Sequence, residues 1–275
     1  MNIDRMDLDG VGSPTGLAAR IHELLPDLPL PVPLEELCKR LDITSISELG
    51  TEAFEAALIT DEHKSQGAIL HARGRHAART RFSIAHELGH FLIPSHRPMP
   101  SELAGCSDEH LRQADSKTKN KRRRIEAEAN RFAAHLLMPP KRVRLEILKS
   151  NDDLQAIVAM ASRFGVSKEA MARCWVEQHS EPVAIVMTRH SNIARYYRSS
   201  GFPWLARRFG EPVPDDSIAA DAMDGPGRYS EIEEIEPDVW MDENDTGPIA
   251  SLTEQVLSQR GGYSMVLLIA ELDEE

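Results

Sequence analysis

Cysteine is scarce in this sequence: Cys38, Cys106 and Cys174 are the three thiols in 275 residues, and no C-x-x-C pair occurs. An odd, widely spaced set excludes a disulfide framework and a thiolate zinc site. It fits a reducing cytoplasm, which is the expected location. Long apolar runs are missing as well. Nothing approaches the ~18 consecutive apolar residues of a membrane span, so no membrane role is expected. The opening MNIDRMDLDG has no basic segment followed by an apolar one, so no secretory signal is expected. A basic excess is also lacking. With 44 acidic against 32 basic side chains the formal charge is −12, a poor balance for generic nucleic-acid binding. No internal repeat is visible.

What is present is unevenly distributed. Residues 211–275 hold 18 acidic and 2 basic side chains, whereas residues 1–210 are mildly basic. Apolar spacings of three and four over Gly16–Leu25 and a proline-led LEELCKRLDI from Leu34 predict two short helices. Ala56–Thr60 and Gly67–Leu70 read as a hairpin. Two stronger helices are predicted over Arg79–Ile93, ended by Pro94, and over Arg122–Met138, stopped at Pro139–Pro140. The polar stretch Ser95–Asn120 between them reads as a solvated surface loop. Leu154–Gln178 reads as helix, turn at Gly165–Val166–Ser167, helix. Beyond Glu181 the character changes to strands, at Val183–Thr188, Ile193–Arg198 and Met265–Ala270, with Trp204, Trp240 and Tyr263 as core aromatics.

The chemistry is concentrated in RFSIAHELGHFL, residues 81–92. His86 and His90 are four apart, so a helix projects both imidazoles from one face. Glu87 lies beside them. This is the HExxH arrangement, in which two neutral imidazoles bind Zn2+ and the glutamate activates a water. Ile84, Leu88 and Phe91 anchor the helix in a core. A third ligand is expected from the helix RRRIEAEANRFAAHLLMPP, residues 122–140. Glu126 and Asn130 share a face there, while Glu128 points about 200° away from Glu126. Periodicity alone leaves Glu126 and Glu128 both open. Asn130 is placed to orient a ligating histidine. His71, His76, His96 and His110 read as surface histidines, and His135 faces away from the metal side.

HELGH preceded by RFSIA, followed by EAEANRFAAHLLMP, resembles the ImmA/IrrE-type metallopeptidases of bacteria and their mobile elements. PVPLEELCKRLDIT, the strand pair before HELGH and the Phe164–Ser167 turn resemble the same family, so the likeness spans about residues 14–180. The resemblance implies His86, His90 and Glu126 as zinc ligands, with Glu126 selected by its place four before Asn130, and Glu87 as catalytic base. It implies an α+β, zincin-like peptidase domain, similar to gluzincin-type endopeptidases. The implied substrate is a helix–turn–helix repressor whose cleavage derepresses stress-response or mobile-element genes. This chain departs from the pattern in its 35 residues between His90 and Glu126, and in lacking the N-terminal DNA-binding domain of some relatives.

The expected organisation is therefore a flexible lead-in (1–13), a zinc metallopeptidase domain (14–150), a helix–turn–helix-like segment (151–181) and an acidic β-rich module (182–275). A competing reading is a non-proteolytic regulator that binds a repressor or DNA through the helix–turn–helix-like segment. Its second helix offers only Lys168 and Arg173 as cations, too few for the usual phosphate contacts, so a structural or docking role is expected there. The acidic module is expected to attract a basic partner.

Overall fold

The computed structural model describes residues 1–51, 54–97, 105–106, 121–221, 225–241 and 249–272. Most of the predicted Ser95–Asn120 loop, His110 included, lies outside these residues. Among them the chain is α+β with a β-rich C-terminal part, as expected. It divides into two compact units: Met1–Pro139 with Ser162–Ser167, and Pro140–Ala161 with Lys168–Glu275.

The first unit contains α1 (Pro14–Leu24), α2 (Leu34–Arg40), β1 (Ile43–Leu49), β2 (Ala56–Thr60), β3 (Gly67–Ala72), α3 (Ala77–Leu92), β4 (Gly105–Cys106) and α4 (Lys121–Leu137). Its sheet has the order β1-β3-β2-β4. β2 and β3 form the predicted antiparallel hairpin, and β1 adds in parallel to β3. Sequence patterning misses β1 because only Ile43 is buried in it; with its other side chains exposed or half-buried, no apolar alternation marks the strand. Residues 1–13, expected as a flexible lead-in, instead pack. Ile3 and Leu8 are buried, Asp4 caps a short 3-10 turn, and the Arg5 guanidinium donates to the Lys64 carbonyl at 2.6 Å.

α3 starts where the His76 ring accepts from the Ala78 amide, and it ends at Ile93 because Pro94 has no amide proton to continue it. It lies against β2, β3 and α4. Gly89, inside HELGH, permits this approach: a Cβ there would sit 2.9 Å from Phe132 Cδ1 of α4. The motif glycine thus lets α4 come close enough to present its polar face to the two histidines.

The second unit holds α5 (Pro140–Ile147), most of α6 (Leu154–Phe164), α7 (Lys168–Gln178) and strands β5 (Val183–Arg189), β6 (Asn192–Arg198), β7 (Glu233–Ile235), β8 (Ile249–Ser258) and β9 (Tyr263–Leu272). The strands form one antiparallel sheet in the order β6-β5-β9-β8-β7. α5 was not expected, because Pro139–Pro140 reads as a stop. Pro140 instead opens a helix, where its missing donor is harmless. β8 also escapes the apolar pattern, since it buries Glu254 and Gln255. Trp240 belongs to the core as expected. Trp204 and Tyr263 do not: they are 60% and 40% exposed, lying under the guanidinium groups of Arg198 and Arg189.

Candidate metal centre

His86 and Glu87 are buried in the middle of α3, and His90 follows one turn later. The His86 and His90 Nε2 atoms face each other at 3.0 Å. Glu126, buried on α4, brings Oε2 to 3.3 Å from His86 Nε2 and 3.7 Å from His90 Nε2. One ligand atom from each of these three residues falls within 4.8 Å of the others, a group able to hold a metal ion. Glu128, which periodicity left open, is not part of this group. His135 is half-buried outside it, and the exposed His76 and half-buried His71 serve a helix cap and a strand.

The ring nitrogens turned away from the cluster are engaged. His86 Nδ1 meets the Asn130 amide oxygen at 2.9 Å. An amide oxygen only accepts, so Nδ1 carries the proton and Nε2 keeps its lone pair. His90 Nδ1 lies 3.1 Å from His96 Nδ1, and His96 Nε2 lies 3.0 Å from Glu128 Oε2. His96 was expected at the surface; it is 3% exposed. The six-residue step from His90 to His96 was a usable signal, since H-E-x-x-H-x-x-G-x-x-H zinc sites carry a third histidine at that step. Here Ile93 replaces the glycine, and His96 meets the outer nitrogen of His90.

Glu126 is strongly shifted by its neighbours. Burial opposes ionisation of Glu126, but hydrogen bonding to His86 and His90 and their charge outweigh it, holding the carboxyl well below the usual carboxylate range. Two imidazoles with one carboxylate are a donor set that suits zinc. Burial, with His90 and Lys64 nearby, pushes His96 down to about 3, so this ring is neutral. Lys64 Nζ donates to the His90 and Ile93 carbonyls at 2.7 and 2.8 Å, tying off the C-terminal end of α3. Elsewhere, Cys38 and Cys174 are buried free thiols pushed up to about 12, chiefly by burial, and are inert at neutral pH.

Helices α6 and α7 are joined by a turn with Gly165 at φ +67°. A recognition helix needs an open face. α7 instead buries Met171, Ala172, Cys174, Trp175 and Val176. Its Arg173 is bonded to Glu177 Oε1 at 2.8 Å. Among the described residues no helix is long and apolar enough to cross a membrane.

No curated protein matches the chain. A solved structure of a Mycobacterium tuberculosis transcriptional regulator is similar in fold, with a TM-score of 0.53 at 16% identity, over 94% of this chain and 87% of that one. Residues 38–175, half of the chain and including both helices of the metal cluster, match the peptidase family described as the IrrE N-terminal-like domain, and the chain belongs to that family.

Proposed function

We propose that this protein is a zinc-dependent endopeptidase that cleaves a helix–turn–helix transcriptional repressor and so derepresses stress-response or mobile-element genes. The observation that carries the reading is the convergence of His86 Nε2, His90 Nε2 and Glu126 Oε2 on one point between α3 and α4. When bound there, zinc supplies Lewis acidity toward a water and a peptide carbonyl. Glu87, next to His86, takes the proton of the attacking water and delivers it to the leaving amine. Asn130 holds His86 in the tautomer that faces the cluster.

The repressor as substrate follows from the family resemblance, and the charge distribution supports it. Glu231, Glu233, Glu234, Glu236 and Asp238 are exposed on and beside edge strand β7. This surface suits a basic, DNA-binding partner, which it attracts as a DNA mimic would.

The test is co-expression of candidate repressors with the wild type and with Glu87→Gln. The repressor should be cut by the wild type, and should stay intact and co-purify with Glu87→Gln. Cleavage at the wild-type rate by Glu87→Gln contradicts the catalytic assignment. A repressor that remains bound and intact with both proteins establishes the non-proteolytic reading instead.

A further inference from the structure

The outer nitrogens of the two histidines meet unlike partners. His86 Nδ1 meets the Asn130 amide oxygen, whereas His90 Nδ1 meets His96, which in turn meets Glu128. We propose that His96 and Glu128 form a relay that sets the tautomer of His90 and positions its Nε2 for the metal. The relay rests on the metal reading above and adds two positioning residues to it.

Glu128 Oε2 lies 3.0 Å from His96 Nε2, and a carboxylate only accepts, so the His96 proton sits on Nε2 and its Nδ1 is bare. That bare Nδ1 is 3.1 Å from His90 Nδ1, so it accepts a proton from it, and His90 Nε2 keeps its lone pair toward Glu126 and His86. With the opposite tautomer at His96, the two Nδ1 atoms would both present protons, or His90 would turn an N–H into the cluster. Either outcome spoils a ligand.

The relay is held in place on every side. The turn after α3 is closed by the His96 amide donating to the Ile93 carbonyl at 3.1 Å. Lys64 fastens the His90 and Ile93 carbonyls that bracket it. Arg124 Nε approaches the second Glu128 oxygen at 3.3 Å. α4 therefore supplies two carboxylates two residues apart, with Glu126 facing the metal donors and Glu128 supporting one of them from outside.

The experiment measures zinc affinity by chelator competition on the purified full chain, for the wild type, His96→Leu, His96→Asn and Glu128→Leu. Unfolding of each metal-free protein is followed in parallel. Outer partners of ligating histidines are worth roughly 10–100-fold in metal affinity, and His96→Leu should lose about that much. His96→Asn puts an amide oxygen near the place of Nδ1, as Asn130 does for His86, and should recover most of the loss. Glu128→Leu should weaken binding by a smaller factor. In the zinc-loaded protein the His90 Nδ1 proton should be visible by NMR in the wild type and His96→Asn, and lost to exchange in His96→Leu. Zinc affinity within twofold of wild type in a folded His96→Leu overturns the relay. So does a His96→Asn variant no better than His96→Leu. If His96→Leu does not fold, unchanged affinity in Glu128→Leu overturns it. A wild type that takes up no zinc removes the metal reading and the relay with it, whereas normal wild-type binding with an indifferent His96 removes the relay alone.

Discussion

Each compact unit buries a glutamate among nitrogen atoms, and the two ionise in opposite senses. Glu126, in the first unit, is held below the ordinary carboxylate range because two imidazoles outweigh its burial. Glu254, in the second, is 1% exposed and raised by burial, although Trp240 Nε1 and the amides of Ile218 and Ala219 donate to it at 2.9, 3.2 and 2.9 Å. The difference lies in the partners. Glu254 receives N–H groups from two short 3-10 turns and pins them onto β8, so its hydrogen bonds are consumed by the fold. Glu126 instead meets the Nε2 atoms of His86 and His90, a donor set able to hold a metal ion. Burial of a carboxylate marks a site only where the neighbouring groups still call for positive charge.

Substitutions on the two sides should separate these roles. The largest effect is expected from Glu87→Gln, which should lower peptide cleavage by about 10²–10⁴-fold while zinc content and the stability of both units stay at wild-type values. Glu254→Leu should do the reverse. It leaves an indole and two amide N–H groups without their acceptor, costing about 3 kcal/mol of second-unit stability, measurable by thermal unfolding, with zinc affinity unchanged. Gly89→Ala tests the approach of α3 to α4. The added methyl meets the Phe132 ring, and a cost of about 1–3 kcal/mol is expected, together with weaker zinc binding.

The pH dependences should also oppose. Because the folded-state value of Glu254 is raised, its contribution is full below the ordinary 4.5 and is lost as pH rises through the raised value. Urea titrations should show wild type losing stability relative to Glu254→Gln as pH moves from acid toward neutral. Glu126 is lowered, so in the metal-free protein its contribution is present above 4.5 and is lost as pH falls. The smallest stability effect belongs to the acidic edge. Replacing Glu231, Glu233, Glu234 and Glu236 by glutamine should change stability by no more than about 0.5 kcal/mol. Repressor binding should weaken and lose salt dependence. Deleting residues 211–275 is a poorer test, since it removes three of the five strands of the sheet.

The same contrast explains what could be read from the residues in order. His86, His90 and Asn130 were legible because a helical period of 3.6 fixes which side chains share a face, and the α3–α4 pair keeps that period, whereas Glu126 was separated from Glu128 by the family resemblance alone. The six-residue step marked His96 as a partner of the motif, but its burial was not legible, because its position depends on the turn after Pro94 and on the α3 end that Lys64, from the β2–β3 connection, ties off. The part played by Glu128 depends on His96 and was hidden with it. In the second unit, Glu254 and Gln255 masked β8, for their burial is offset by partners distant in sequence: Gln255 Oε1 accepts from the Leu154 amide at 2.7 Å. Pro140 misled because the same residue type ends one helix and begins the next. Periodicity reports local faces well, and it is silent about polar groups whose partners lie across the fold.

The central claim, that two imidazoles and Glu126 hold a catalytic zinc, is tested most directly by metal analysis of the purified full-length protein beside Glu126→Ala. The expected result is about one zinc per chain in the wild type and loss of that zinc in a folded Glu126→Ala variant. Full zinc occupancy in Glu126→Ala, or a wild type that binds none, would contradict it.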